Sequence, residues 1–303
     1  MTQGDTIPGG LHVHWAEVDG LRLRLALAPP LDGGRSLVLL NGRTEFLEKY
    51  EDVYGELRAR GFRVATLDWR GQGGSDRLLA DRRRGYARDF RAFQRDLDAL
   101  LQLAAAELAP PWFALAHSMG ALILLERLAA APDTFARAVL SAPFLGIRAG
   151  PVSRRLAPLL AATACRLGFA TAYVPGHGDE PAAGEEPAGN VLTSDHDRFR
   201  LYRARCRANA ERLVGGVTYG WLDAALRAIG RLERPGTLEA ITTPMLLMAA
   251  GHERVVDIHA IERAAARLPR AELRCFDGAE HELMMERDPI RDRVLAAVDD
   301  CLR

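Results

Sequence analysis

Lysine is almost missing from this chain: among 40 basic residues only Lys49 is lysine, and all the others are arginine. The arginines are spread throughout, so the bias reads as genome composition rather than chemistry. Neither sign of charge dominates, because 40 acidic residues balance the 40 basic ones and the two are interspersed, a pattern that predicts no nucleic acid partner. Cys165, Cys206, Cys275 and Cys301 are the only cysteines; without CxxC or other close spacing they predict reduced thiols, not a disulfide framework or a zinc site. Long apolar runs are absent too. The richest, 156–172, is broken by Pro158, Arg166 and Gly168, too short an uninterrupted run for a bilayer span. The opening residues MTQGDTIPGG lack the basic and apolar parts of a secretory signal. The expectation is a soluble, cytoplasmic protein, with peripheral membrane contact left open. At 303 residues and 48% apolar, the chain can bury one large core, or a core plus an insertion.

What is present centres on residues 113–125, FALAHSMGALILL. An apolar strand ending, then an apolar helix restarting at once, enclose Ala116-His117-Ser118-Met119-Gly120. This is a nucleophile elbow with Ala in place of the usual first Gly. So tight a turn holds Ser118 in a strained backbone conformation and admits only small residues two positions to either side. It lifts the hydroxyl clear of the sheet and aims the Met119 N–H at whatever the hydroxyl attacks.

Around the elbow, strands and helices alternate. His12–Val18 and Leu21–Leu27 read as a hairpin about Asp19-Gly20, with His12 and His14 on an exposed edge strand rather than on a metal. Strands follow at 36–40 and Phe62–Leu67, separated by a helix carrying Phe46, Leu47, Tyr50, Val53, Tyr54 and Leu57. The loop Asp68-Trp69-Arg70-Gly71-Gln72-Gly73-Gly74-Ser75 has no GK[ST] after it and reads as a tight loop, not a phosphate cradle. A long amphipathic helix is expected over 86–108 and a strand over Arg137–Ser141. The alternation then lapses, which predicts an inserted helical cap over 146–235 between core segments 1–145 and 236–303. Within the cap the sequence predicts helices over 152–167 and 219–229, a Gly/Pro/Glu-rich loop over 175–190, and a middle helix bearing Phe199, Tyr202, Cys206 and Leu213. The arginines Arg198, Arg203, Arg205, Arg207 and Arg212 read as its solvated face in preference to a lipid-phosphate site. The core resumes with strands at 244–249 and 272–276 and helices at 257–268 and 289–302. The expected fold is α/β, a mostly parallel central sheet with helices on both faces.

A serine hydroxyl needs a base within reach and a carboxylate to orient that base. His281, in Gly278-Ala279-Glu280-His281-Glu282-Leu283 after the last core strand, is the expected base. His117 points the wrong way on the turn. The acid should follow strand 244–249, where Glu253 and Asp257 both qualify; Glu253 is preferred because capping the next helix accounts for Asp257. The oxyanion donors are expected to be the N–H groups of Met119 and Arg43, with Glu45 holding the Arg43 loop. No metal or cofactor is called for.

Taken together, the elbow, Asn41-Gly42-Arg43-Thr44-Glu45, Asp68-Trp69-Arg70-Gly71-Gln72-Gly73 and the His281 loop resemble the α/β-hydrolase superfamily. More narrowly the chain is similar to the bacterial lysophospholipase L2 and monoacylglycerol lipase group, through Arg77-Leu78-Leu79-Ala80-Asp81, Asn190-Val191-Leu192-Thr193 and Glu253-Arg254-Val255-Val256-Asp257 as well. The resemblance implies hydrolysis of one fatty acyl ester of a lysolipid or monoglyceride. It also implies Glu at position 253, as in the L2 group, where monoacylglycerol lipases carry Asp. The alternatives are a transacylase or general carboxylesterase of the same fold, and a hydrolase-fold binding protein without turnover.

Overall fold

Leu37 and Leu39 of strand β4 (Arg35–Leu40) face one side of a sheet and Val38 and Leu40 the other, and all four are buried. The same division recurs on β6 (Trp112–His117), with Phe113 and Leu115 opposite Ala114 and Ala116. Strands apolar on both faces need helices on both faces. In the computed structural model, which describes residues 2–148, 151–180, 187 and 189–303, the chain supplies them. Helices α2 (Arg91–Glu107), α3 (Met119–Ala130) and α7 (Ile258–Arg267) cover one side; α1 (Glu51–Ala59) and α8 (Asp288–Cys301) cover the other.

The remaining strands are β1 (Thr2–Thr6), β2 (His12–Val18), β3 (Leu21–Leu27), β5 (Phe62–Leu67), β7 (Arg137–Ser141), β8 (Met245–Ala250) and β9 (Ala271–Phe276). They form one nine-stranded sheet in the order β1-β2-β3-β5-β4-β6-β7-β8-β9. The pairings β1/β2, β2/β3 and β3/β5 are antiparallel, and all pairs from β5 to β9 are parallel. Chain order departs from β4 to β5 on one side and returns to β6 on the other. The loops after β4 and β6 therefore flank the crevice where this type of sheet binds its ligand. Between β7 and β8 the chain forms α4 (Pro151–Arg166), α5 (His196–Ala208) and α6 (Tyr219–Leu232).

Four expectations need correction. The sheet edge is β1, an added strand paired to β2, so His12 and His14 are not on the edge; His12 Nδ1 lies 3.1 Å from Thr6 Oγ1. The helix expected from residue 86 starts at Arg91, just after a local turn in which the Asp89 carboxylate accepts the Arg91 N–H at 2.9 Å. The middle cap helix ends at Ala208, where the Asn209 amide donates back to the Arg205 carbonyl, and Leu213 lies beyond it. Most of the arginines read as a solvated face are not one: Arg205 pairs with Glu51 and Asp52, Arg198 with Asp195 and Asp288, Arg203 is buried, and Arg212, beyond the helix, pairs with Glu48, while Arg207 is exposed. The row ties α5 down onto α1 and the start of α8. The loop expected over 175–190 falls partly outside the described residues.

Candidate active site

The turn between β6 and α3 places Ser118 at φ 49° and ψ −112°, a left-handed conformation costly for a residue with a Cβ. Its neighbours hold it there. The Ser118 N–H donates to the Ser141 carbonyl at 3.0 Å, and the Phe144 N–H donates to the Ser118 carbonyl at 3.1 Å. Gly120 is required at its place, since a Cβ would stand 2.4 Å from the Leu40 carbonyl oxygen. That close approach lets the β4 loop lie against the start of α3.

His281 reaches the elbow from the loop after β9. Its Nε2 lies 3.1 Å from Ser118 Oγ, and its Nδ1 lies 2.9 and 3.1 Å from the two carboxylate oxygens of Glu253. The Glu253 loop curls around its own side chain, with the Val255 and Val256 N–H groups donating to Oε1 at 2.7 and 3.1 Å. Burial pushes the Glu253 carboxyl up. The hydrogen bond and charge of His281, with the two amides, outweigh burial and hold it below the ordinary carboxylate range. Asp257 stands elsewhere: its carboxylate accepts the His259 N–H at 3.1 Å and caps α7. Met119 opens α3, so its N–H has no acceptor inside the helix, and the Arg43 N–H has no acceptor among the described residues. Both donors line the cavity with Ser118.

Glu45 holds the Arg43 loop as expected, but the network behind it, through Lys49, Tyr50, His117 and Glu282, was not read from the sequence. Glu45 accepts hydrogen bonds from the Gly42 N–H, from Tyr50 Oη at 2.7 Å and from Lys49 Nζ at 2.6 Å, and it lies beside His117 Nδ1. Lys49 also donates to Glu282, the neighbour of His281, at 2.5 Å. The only lysine thus joins the β4 loop to the His281 loop. Its rarity was the available signal, because arginine fills every other basic position. Against burial, the charges of Lys49 and His117 hold the Glu45 carboxyl well below its usual range. The Glu45 carboxylate in turn raises His117 against the downward push of burial. The His117 ring packs 4.9 Å from that of His281.

The cavity above Ser118 has a volume of about 330 Å³, and its walls include Phe144, Leu192, Val217, Trp221, Leu222 and Val255. It is an apolar chamber with a polar floor. A wider groove of about 590 Å³ lies between the β1–β2 hairpin and α5, but its cations Arg24, Arg205 and Arg212 are each paired to carboxylates, and it holds neither Ser118 nor His281. No group of three or more potential metal ligands occurs among the described residues.

Residues 34–288 match the family described as Serine aminopeptidase, S33 (Hydrolase_4). The probable lysophospholipase L2 of Haemophilus influenzae is 32% identical over 284 residues, covering 93% of this chain and 88% of that protein. Lysophospholipase L2 of Escherichia coli is 33% identical over 294 residues, covering 93% and 84%. Among solved structures, a soluble variant of monoglyceride lipase from Saccharomyces cerevisiae superposes with a TM-score of 0.72 at 17% identity, covering 96% of this chain and 94% of that one, a likeness of fold. With the sheet order, the elbow and these matches agreeing, the chain belongs to the Hydrolase_4 (S33) family of α/β-hydrolases, together with the lysophospholipases L2.

Proposed function

We propose that the chain hydrolyses a fatty acyl ester of a lysophospholipid or monoacylglycerol through an acyl-enzyme on Ser118. The observation that carries this reading is the unbroken hydrogen-bonded row from Ser118 Oγ through His281 to Glu253, set in the floor of an apolar cavity. His281 Nε2 takes the hydroxyl proton as Oγ bonds to the ester carbonyl carbon, and the oxyanion rests on the Met119 and Arg43 amides. Collapse breaks the bond to the alcohol, which leaves with the proton from His281. Water, deprotonated by the same imidazole, then releases the fatty acid. Glu253 keeps the Nδ1–H tautomer in place and balances the imidazolium charge. An amine-terminated peptide fits less well: the two carboxylates on the cavity wall, Glu45 and Glu282, both bond Lys49.

The test is incubation of the purified protein with oleoyl-lysophosphatidylethanolamine, monoolein and p-nitrophenyl butyrate. Free oleate is the expected product; oleate recovered on an added alcohol or lysolipid instead identifies a transacylase. Glu253→Gln should lower kcat by roughly 10²- to 10⁴-fold, since a neutral amide can stabilise the wrong tautomer. Asp257→Ala should leave kcat within a few-fold and lower stability by about 0.5–2 kcal/mol through its lost cap. The reverse pattern would assign the acid to Asp257.

Residues 146–235 act in this reading as a cap over the acyl chain. On α4, Leu156, Leu159 and Leu160 are exposed, as are Leu167 and Phe169 just after it. We take this apolar face to rest on lipid, as interfacial helices do. Leu159→Glu with Leu160→Glu should reduce co-sedimentation with phosphatidylglycerol vesicles and slow hydrolysis of vesicle-embedded lysolipid. It should spare p-nitrophenyl butyrate; equal loss on both substrates would assign the face to folding.

A further inference from the structure

Arg43 does more than present an amide. Its side chain lines the cavity, where Nη2 donates to the carbonyls of Gly215 (2.8 Å) and Gly216, and the guanidinium lies over the Trp221 ring at 5.0 Å. Its Nε is buried with no partner, and among the described residues no carboxylate pairs with the group. Burial draws it down to about 10, so it is cationic at neutral pH. Glu45 and Glu282 both bond Lys49, whereas among the described residues neither Arg43 nor Arg148, an exposed cation on the cavity wall, pairs with a carboxylate. Beside Arg43, burial and the guanidinium charge hold His177 below its ordinary range, so that ring adds no charge at neutral pH.

A desolvated cation left unpaired in a binding cavity is costly until an anion meets it. An acyl ester substrate offers such an anion only if its alcohol carries one. The distance along the glycerol unit from acyl carbonyl to phosphorus is comparable to that along an arginine side chain from backbone to guanidinium. One residue can therefore give its amide to the carbonyl oxygen and its side chain to a phosphate on the same molecule. The geometry points to Arg43 as the specificity-determining residue that reads a phosphodiester on the leaving alcohol, with Arg148 as the second cation of that subsite. This inference rests on the acyl-ester reading of Ser118 and sets the preferred substrate as a lysophospholipid over a neutral monoglyceride. Guanidinium suits the role because its planar donors match phosphate oxygens in pairs.

The test compares kcat/KM for oleoyl-lysophosphatidylethanolamine and for monoolein in wild type, Arg43→Met, Arg43→Gln and Arg43→Lys. Arg43→Gln keeps a donor for the Gly215 and Gly216 carbonyls while removing the charge. It should lower the lysophospholipid-to-monoolein ratio by about 10- to 100-fold, as expected for a lost charged hydrogen bond. Arg43→Met should lower it as far, and Arg43→Lys should restore part of it. Glycerol 3-phosphate should inhibit the wild type competitively and lose potency against Arg43→Gln, whereas glycerol should not distinguish them. If every variant slows both substrates by one factor, Arg43 only ties the loop to the cap and the assignment fails, although the esterase reading stands. If wild type cleaves neither substrate and Ser118 resists a fluorophosphonate, the esterase reading fails and takes this inference with it.

Discussion

Ser118→Ala should abolish release of oleate from lysophospholipid and monoolein, lowering kcat/KM by roughly four orders of magnitude or more. The size of that loss follows from the position of the hydroxyl. Its Oγ lies 3.1 Å from the base, at the start of a helix whose first amide is unclaimed. Stability should stay within about 0.5 kcal/mol of wild type, because Ala tolerates the strained backbone no worse than Ser and no packing is lost. Near-native kinetics with an unchanged melting curve would remove Ser118 from the chemistry. A large drop in melting temperature would make the kinetic loss uninformative, and circular dichroism on the same samples separates the two.

Replacing Lys49 should have the largest effect on stability. Glu45 and Glu282 are buried and share this one ammonium, so Lys49→Met takes the shared cation from both and leaves Glu45 with the His117 ring beside it. Breaking a buried pair from one side typically costs about 3–5 kcal/mol. The loss should depend on pH. In the variant Glu45 loses the Lys49 charge that opposes burial, so burial raises its folded value, and a carboxyl raised in the folded state leaves the unfolded chain binding fewer protons. Stability of Lys49→Met should therefore fall as pH rises from 5 to 8 relative to wild type. Adding Glu282→Gln should recover much of it. Urea unfolding at both pH values measures this; a loss below about 0.5 kcal/mol, as for an exposed pair, would contradict the account.

The sequence was most informative where one rule acts alone. Periodicity placed the hairpin at His12–Val18 and Leu21–Leu27 and the strands Phe62–Leu67 and Arg137–Ser141, because each is apolar at the spacing its surroundings demand. The tight turn at Ser118 was readable from Gly120, whose missing side chain is a local requirement. Strand β1 was not, since Thr2–Thr6 has little apolar pattern and takes its place from the partner β2. The fate of Arg205 on α5 and of Arg212 after it was equally hidden: a charged face looks the same in sequence whether water or Glu48, Glu51 and Asp52 lies opposite. Glu253 and Asp257 were separable in sequence through capping and through the resemblance to the L2 group. In the structure they part company, with Glu253 on His281 and Asp257 on the start of α7. Lys49 was visible as an oddity, but its partners are 4 and 233 positions away, and the second of these no local pattern reaches.

The most direct test of the central claim is to treat the native protein with a fluorophosphonate and map the adduct by peptide mass spectrometry. The account predicts a single stoichiometric adduct on Ser118, formed far more slowly in His281→Ala. An adduct on another residue, or none in protein that still hydrolyses lysolipid, would contradict it.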